Sequence, residues 1–254
     1  MNGAIAQPVS LALAEWRLKV RLSAVLVPFF CVPYFLLQRL PLAPVWRPAP
    51  GRLEEAIGFH PEWVWAYQSA YVLLALVPWL AASGARDLHR YARGFVLLSS
   101  IGFICFLLVP IECPRPSDAP GAGMYGLLVT YDRPLNTFPS LHVGLSVYTV
   151  LFGARVLRGR MPPVRRRALL ALLGLWICAI AWAAVAIRQH FVADVPAGAA
   201  LAWICHRWAW RPGAHAADRP GVRLATRSPA RIPRGSGAER PVRTGIQTEE
   251  SHPC

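Results

Sequence analysis

Two histidines stand where a titratable ring is costly to leave. His142 lies in "FPSLHVGL" (138–145) and His190 in "RQHFVADV" (188–195), each in or beside a run that is otherwise apolar. Asp194 follows His190 at a spacing of four, which on a helix places acid and imidazole on one face. Of the 13 acidic residues, Asp194 alone sits well inside an apolar run, and a carboxylate at membrane depth is expensive enough to be paired and functional as a rule. Such an acid fixes the tautomer of a neighbouring imidazole and stabilises its cationic form, which is how nucleophiles and proton carriers are activated. The same spacing also suits a plain structural role, a His–Asp pair that staples a helix start.

The residues around these histidines suit phosphate. Pro139, Ser140 and His142 fall in the expected first turn of a helix, where free backbone N–H groups and the positive end of the dipole attract anions. Asn136 or Thr137 is placed to cap that helix. The connection 111–137 carries two Arg-Pro pairs, Arg115-Pro116 and Arg133-Pro134, and Arg188 lies two residues before His190. A guanidinium offers a planar fork of donors matched to phosphate oxygens. Two histidines, one buried acid and three arginines on one face make a phosphate-handling site the simplest joint explanation.

The elements that must position these groups are membrane helices. Of 254 residues, 55% are hydrophobic and only 16% charged, with a mean hydropathy of +0.36, a load that points to an integral membrane protein. Six apolar stretches, near 21–38, 63–83, 94–111, 138–157, 168–187 and 191–210, approach the roughly 20 residues that cross a bilayer. The expected fold is therefore all-α, a polytopic bundle of six transmembrane helices. The last two spans, separated by "RQH", should form a tight hairpin. The first ends in "QRLPLAP" without a small-residue cleavage pattern and reads as a retained helix.

Charge sets the orientation. Lys19 is the single lysine, and 21 of the 27 basic residues fall on one side of this topology against six on the other. The positive-inside rule then puts both termini in the cytoplasm and both histidines at outer helix ends. Three parts follow: a cytoplasmic segment 1–20, a membrane domain 21–210, and an Arg/Pro-rich tail 211–254 whose composition predicts disorder. Tryptophans near the span ends (Trp16, Trp63, Trp65, Trp79, Trp208, Trp210) fit an interfacial belt. The basic tail carries no aromatic or motif that would suit nucleic acid, so no nucleic-acid partner is expected. The six cysteines show neither metal-ligand spacing nor an evident pairing, so no disulfide, metal or cofactor is assigned.

At this point the residues resemble a family. "FPSLHV", followed some fifty residues later by "RQHFVADVPAG", is similar to the second and third signature motifs of the type-2 phosphatidic acid phosphatase superfamily. The leucine between Ser140 and His142 is more similar to the inositol phosphorylceramide synthase-like branch, the aureobasidin-resistance type of inositolphosphotransferase, than to ordinary lipid phosphatases, which usually have glycine there. The resemblance covers about 94–210. It implies that His190 is the nucleophile and forms a phosphohistidine, that Asp194 orients it, and that His142 protonates the leaving oxygen. It also implies that Ser140 and Arg115 hold phosphate oxygens. Two departures accompany it: Leu108 stands where the first motif has lysine, and Ala183 and Ala184 stand where the third begins with Ser-Arg. Arg188 is placed to supply the missing charge.

The function expected is a metal-independent lipid phosphatase or phosphotransferase, with a lipid phosphate as substrate and water or a lipid alcohol as acceptor. Its place would be the plasma (inner) membrane, with the site on the extracytoplasmic side. The sequence does not set the oligomeric state. The alternative is a non-catalytic transporter or scaffold that keeps the fold, although a transporter tends to place its polar groups near mid-membrane.

Overall fold

A computed structural model describes residues 13–117, 119 and 121–211. The tail expected to be disordered lies outside these residues, apart from Arg211, as does most of the N-terminal segment. Among the described residues the chain is all-helical, without a β-strand: α1 (Trp16–Leu37), α2 (Arg52–Ile57), a 3-10 turn (Pro61–Trp63), α3 (Val64–Ala81), α4 (Ala85–Leu108), α5 (Gly123–Tyr131), α6 (Leu141–Val156), α7 (Pro163–Ala186) and α8 (Asp194–Ala209). Each of the six expected stretches holds one of the longer helices. Four of them are long and apolar enough to cross a membrane: α1, α3 with its 3-10 turn, α4 and α7. α6 and α8 have 16 residues each, short of the roughly 20 needed for a straight span.

Helix ends follow local chemistry. α4 begins at Ala85 rather than near 94 because "ARDLHRYAR" continues its helix, with Asp87 in the first turn complementing the dipole. α7 starts with Pro163, where the missing N–H costs nothing. α6 begins at Leu141, three residues later than expected, and its cap is neither Asn136 nor Thr137. Ser140 is the cap, accepting from Val143 N–H at 3.4 Å. Asn136 instead donates to Tyr34 O at 2.9 Å and Thr137 to Ile111 O at 3.2 Å, because their side chains face the buried backbone of other segments. Pro139 thus precedes the helix.

α6 occupies the centre, packing against α3, α4, α7 and α8. Twelve of its 16 residues are buried, which fits a helix that, apart from His142 and the terminal Arg155, has no basic or acidic side chain and no polar stripe to turn to solvent. The α6–α8 crossing is made close by two glycines. A Cβ on Gly198 would run into Ser140 O, and one on Gly144 would meet Gly198 O at 3.1 Å; small residues permit such backbone approach. α1 packs chiefly on α4, carries Pro28 and Pro33 within it, and leaves Val20, Val25, Val27, Val32 and Leu36 exposed. Such a face suits lipid.

A candidate two-histidine site

The crossing of α6 and α8 brings the two motifs to one end of the bundle. Ser140 N–H donates to Asp194 O at 3.1 Å, so the cap of one helix is bonded to the first residue of the other. The rings of His142 and His190 lie 6.2 Å apart between centroids, and the residues are 6% and 2% exposed. Ser140 is fully buried, its Oγ engaged in capping.

His190 does not occupy a helix start. α7 ends at Ala186 and α8 begins at Asp194, so the connection is 187–193 rather than three residues. Arg188 takes a left-handed backbone (φ 58°), which turns the chain sharply and aims His190 back at the 132–137 segment. Its Nδ1 lies 2.9 Å from Thr137 O and 3.5 Å from Asp194 Oδ2. A carbonyl and a carboxylate only accept, so Nδ1 carries a proton, and in the neutral ring Nε2 then presents a lone pair. The closer partner is the carbonyl. Asp194 Oδ2 also accepts from Phe191 N–H at 2.8 Å, so the acid closes the turn and faces the ring at once.

His142 has different company. Tyr67 and Tyr71, one turn apart on α3, hold both its nitrogens: Tyr67 Oη is 2.9 Å from Nδ1 and Tyr71 Oη 3.2 Å from Nε2. Tyr67 also stacks on the ring at 4.1 Å, while Tyr71 meets it edge-on at 5.4 Å. A hydroxyl can donate or accept, so this clamp suits either tautomer of the neutral ring and, with both hydroxyls accepting, the imidazolium as well. The i, i+4 pair in "AYQSAYV" is the local sign that could have marked them. Tyrosines on an apolar helix more often belong to a core or interface.

The arginines divide. Arg188 is buried: one Nη donates to Glu54 O at 3.0 Å, and the other is without an acceptor among the described residues. Arg115 donates to Asp132 O at 2.6 Å, while its Nε, like Gln189 Nε2, is buried and without a partner among the described residues. Cys113 lies within electrostatic reach of Arg188, Asp194, Glu54 and Arg115, which places these groups in one neighbourhood; burial pushes its thiol up to about 12. Unsatisfied buried N–H donors are rare and call for a partner; an anion is a fitting one. Arg133 stands apart, exposed, with its backbone N–H on Gln38 Oε1 at 3.2 Å. The structure therefore brings together His142, His190, Asp194, Ser140, Arg188 and Arg115, while Arg133 is exposed.

Two acids without a sequence signal support this end. Asp132 is 1% exposed and accepts from Gln38 Nε2 at 2.6 Å and Tyr34 Oη at 3.1 Å. Burial raises its carboxyl above the usual range, against the lowering effect of those bonds and of His190 and Arg115. Glu54 accepts from Val192 N–H at 2.8 Å and Gly51 N–H at 3.0 Å. Burial pushes its carboxyl up, but these backbone donors and the Arg188 charge outweigh that and hold it below the usual carboxylate range.

Fold and site define a class: a helical protein with membrane-compatible helices and two neighbouring imidazoles beside guanidinium donors that have no partner among the described residues. The comparison with family models assigns residues 92–214 to the PAP2 superfamily, the phosphatase-type superfamily whose second and third motifs the two histidine stretches resemble. No curated protein and no solved structure gives a significant match. α1, α2 and α3, with Tyr67 and Tyr71, precede the matched segment.

Proposed function

We propose that this chain is a multi-pass membrane enzyme that cleaves lipid phosphoesters through a phosphohistidine on His190. The observation that carries the reading is His190 itself: with Nδ1 given to acceptors at 2.9 and 3.5 Å, Nε2 is left with its lone pair, and a second imidazole sits 6.2 Å away. Nε2 attacks phosphorus, the P–O bond to the leaving alcohol breaks, and His142, which enters this step as the imidazolium, delivers its proton to that oxygen and is left neutral. In the second step water or an alcohol attacks phosphorus, the P–N bond breaks with its electron pair returning to Nε2, and His142 takes the proton of the incoming hydroxyl. Splitting one displacement into two lowers each barrier.

Charge on the equatorial oxygens is met by the unpaired N–H groups of Arg188 and Arg115, an electrostatic contribution fixed before reaction. Ser140 serves as the cap that fixes the start of α6, and Arg133 lies outside this set. The arginine distribution supports an orientation with this end on the extracytoplasmic side. Leu141, the residue that spells Ser-Leu-His, is 1% exposed and lies in the wall of an apolar cavity beside His142. The spelling therefore bears on what fits next to the site, and both hydrolysis and transfer to a lipid alcohol remain open to the same intermediate.

The test is to give the purified protein ³²P-labelled lysophosphatidate and phosphatidate, with and without a lipid alcohol. Trapped label that is stable to alkali, labile to acid and absent from His190→Ala supports the phosphohistidine. Free phosphate identifies a hydrolase, and a new phosphoester a transferase. Neither product nor label with any phosphoester favours the non-catalytic reading.

A further inference from the structure

A cavity of about 270 Å³ runs between α1, α3, α4 and α6. At one end stand His142 and Tyr71. At the other stand Lys19 and Trp79, joined by a 2.7 Å bond from Lys19 Nζ to Trp79 O and by the Lys19 ammonium over the Trp79 ring at 5.9 Å. Between these ends the walls are apolar, with Leu22, Leu26, Phe30, Leu74, Ala75 and Leu145 among them. The cavity reaches His142 without reaching His190, whose ring lies beyond it at 6.2 Å.

From these features we infer that the cavity binds a single hydrocarbon chain of the phosphoester, its phosphate at the histidine end, and that the Lys19–Trp79 floor limits chain length. The inference rests on the function proposed above and adds its substrate class. Three observations favour a chain over other occupants. The slot is apolar along most of its sides, Ser23 and Tyr91 apart, and at its far end Lys19 Nζ is bonded to Trp79 O, which leaves the histidine end for a charged head. Its length suits one chain: Cys31 to Lys19 on α1 covers about 18 Å and Tyr71 to Trp79 on α3 about 12 Å at ~1.5 Å per residue. Single bonds of about 1.5 Å, laid in a zigzag, fill that length with roughly ten to fourteen carbons. Finally, its outer wall is α1, which packs chiefly on α4, and the lining residues Val27 and Tyr71 are exposed, so the slot reaches the surface that faces lipid. Most of these walls come from α1 and α3, which precede the segment 92–214 matched to the family.

The experiment uses full-length protein in detergent and two readouts. In the first, equimolar hexyl and dodecyl phosphate compete, and the ratio of the alcohols released gives the ratio of kcat/KM within one sample, so that general damage cancels. Wild type should favour dodecyl phosphate, since each buried methylene contributes up to about fourfold. Ala75→Trp on α3 and Ser23→Trp on α1 fill the slot from opposite walls and should each lower the ratio about tenfold or more. Val72→Trp, on the exposed side of α3, should keep the wild-type ratio. Trp79→Ala should improve hexadecyl phosphate relative to dodecyl phosphate. In the second readout, dodecyl phosphate with a terminal diazirine is photolysed and the modified residues are mapped; label is expected around Leu22, Ala75 and Trp79, and should be lost in Ala75→Trp. Equal ratios in wild type and both filled variants, or label confined to the lipid-facing side of α1, overturn the inference. Label at the floor in a protein that releases no alcohol upholds the slot while the function proposed above fails.

Discussion

His142 and His190 are 6.2 Å apart yet are held by opposite kinds of partner. Around His190 stand a carbonyl and a carboxylate, which accept only. Around His142 stand two tyrosine hydroxyls, which accept or donate. The first setting commits one nitrogen to a proton and leaves the other for the nucleophile's part proposed above, and it would stay satisfied once Nε2 carried phosphorus. The second commits neither nitrogen, which suits a ring that must give a proton in one step and take one in the next. In the proposed reaction, two groups of one residue type would take separate tasks from their surroundings, as paired carboxylates do in enzymes.

The largest effect should separate the two rings outright. His190→Ala is expected to lose trapped phosphate and turnover together. His142→Ala should lose about 10²- to 10⁴-fold with an alkyl phosphate, the usual range for a general acid, and far less with p-nitrophenyl phosphate, whose leaving group needs little protonation. Equal losses with both leaving groups would remove His142 from the acid role.

Asp194→Asn sharpens the acceptor half of the comparison. Where an acid alone fixes the tautomer, the amide costs about 10⁴-fold. Here the Thr137 carbonyl at 2.9 Å still holds Nδ1–H, so a smaller loss in kcat, on the order of 10- to 100-fold, is expected; a loss as large as that of His190→Ala would make the acid the true orienting group. Tyr67→Phe probes the hydroxyl half. Removing one hydrogen bond is worth about 0.5–1.5 kcal/mol, hence roughly two- to tenfold in kcat, with a displaced pH–rate profile. Tyr71→Phe, on the partly exposed member of the pair, should cost less. A reversed order would place Tyr71 at the reacting atoms.

The smallest effect concerns stability. Because the folded Glu54 carboxyl titrates below its ordinary value of 4.5, its contribution is present above that value and is lost as pH falls through the folded one. Glu54→Gln should therefore lower Tm at pH 7, and the gap to wild type should close in acid. A gap independent of pH would mean that packing, not charge, is what the substitution disturbs.

Much of this was legible in the residues. Hydropathy marks each of the longer helices, because a membrane-compatible helix must be apolar over the part that would cross, wherever its neighbours lie. The histidine motifs stand out because titratable groups are rare in such runs. Asp132 and Glu54 do not stand out, since an acid beside Arg-Pro in a loop, or in "GRLEEAIG", reads as solvated until the fold covers it. Capping of α6 was misplaced because Asn136, Thr137 and Ser140 are all competent caps, and only the neighbouring backbones decide which is free to act.

By itself, then, the sequence determined where the apolar helices form, and which two rings and which acid are costly enough to matter. These are local properties, written in runs of neighbouring residues. The tertiary structure alone decided that Tyr67 and Tyr71 hold His142 across 75 and 71 positions, that Thr137 meets His190 across 53, and that α1 and α3 leave a slot ending at His142. Such contacts depend on how helices cross. At the α6–α8 crossing two glycines let backbones touch, and no periodicity in a single helix records its partner.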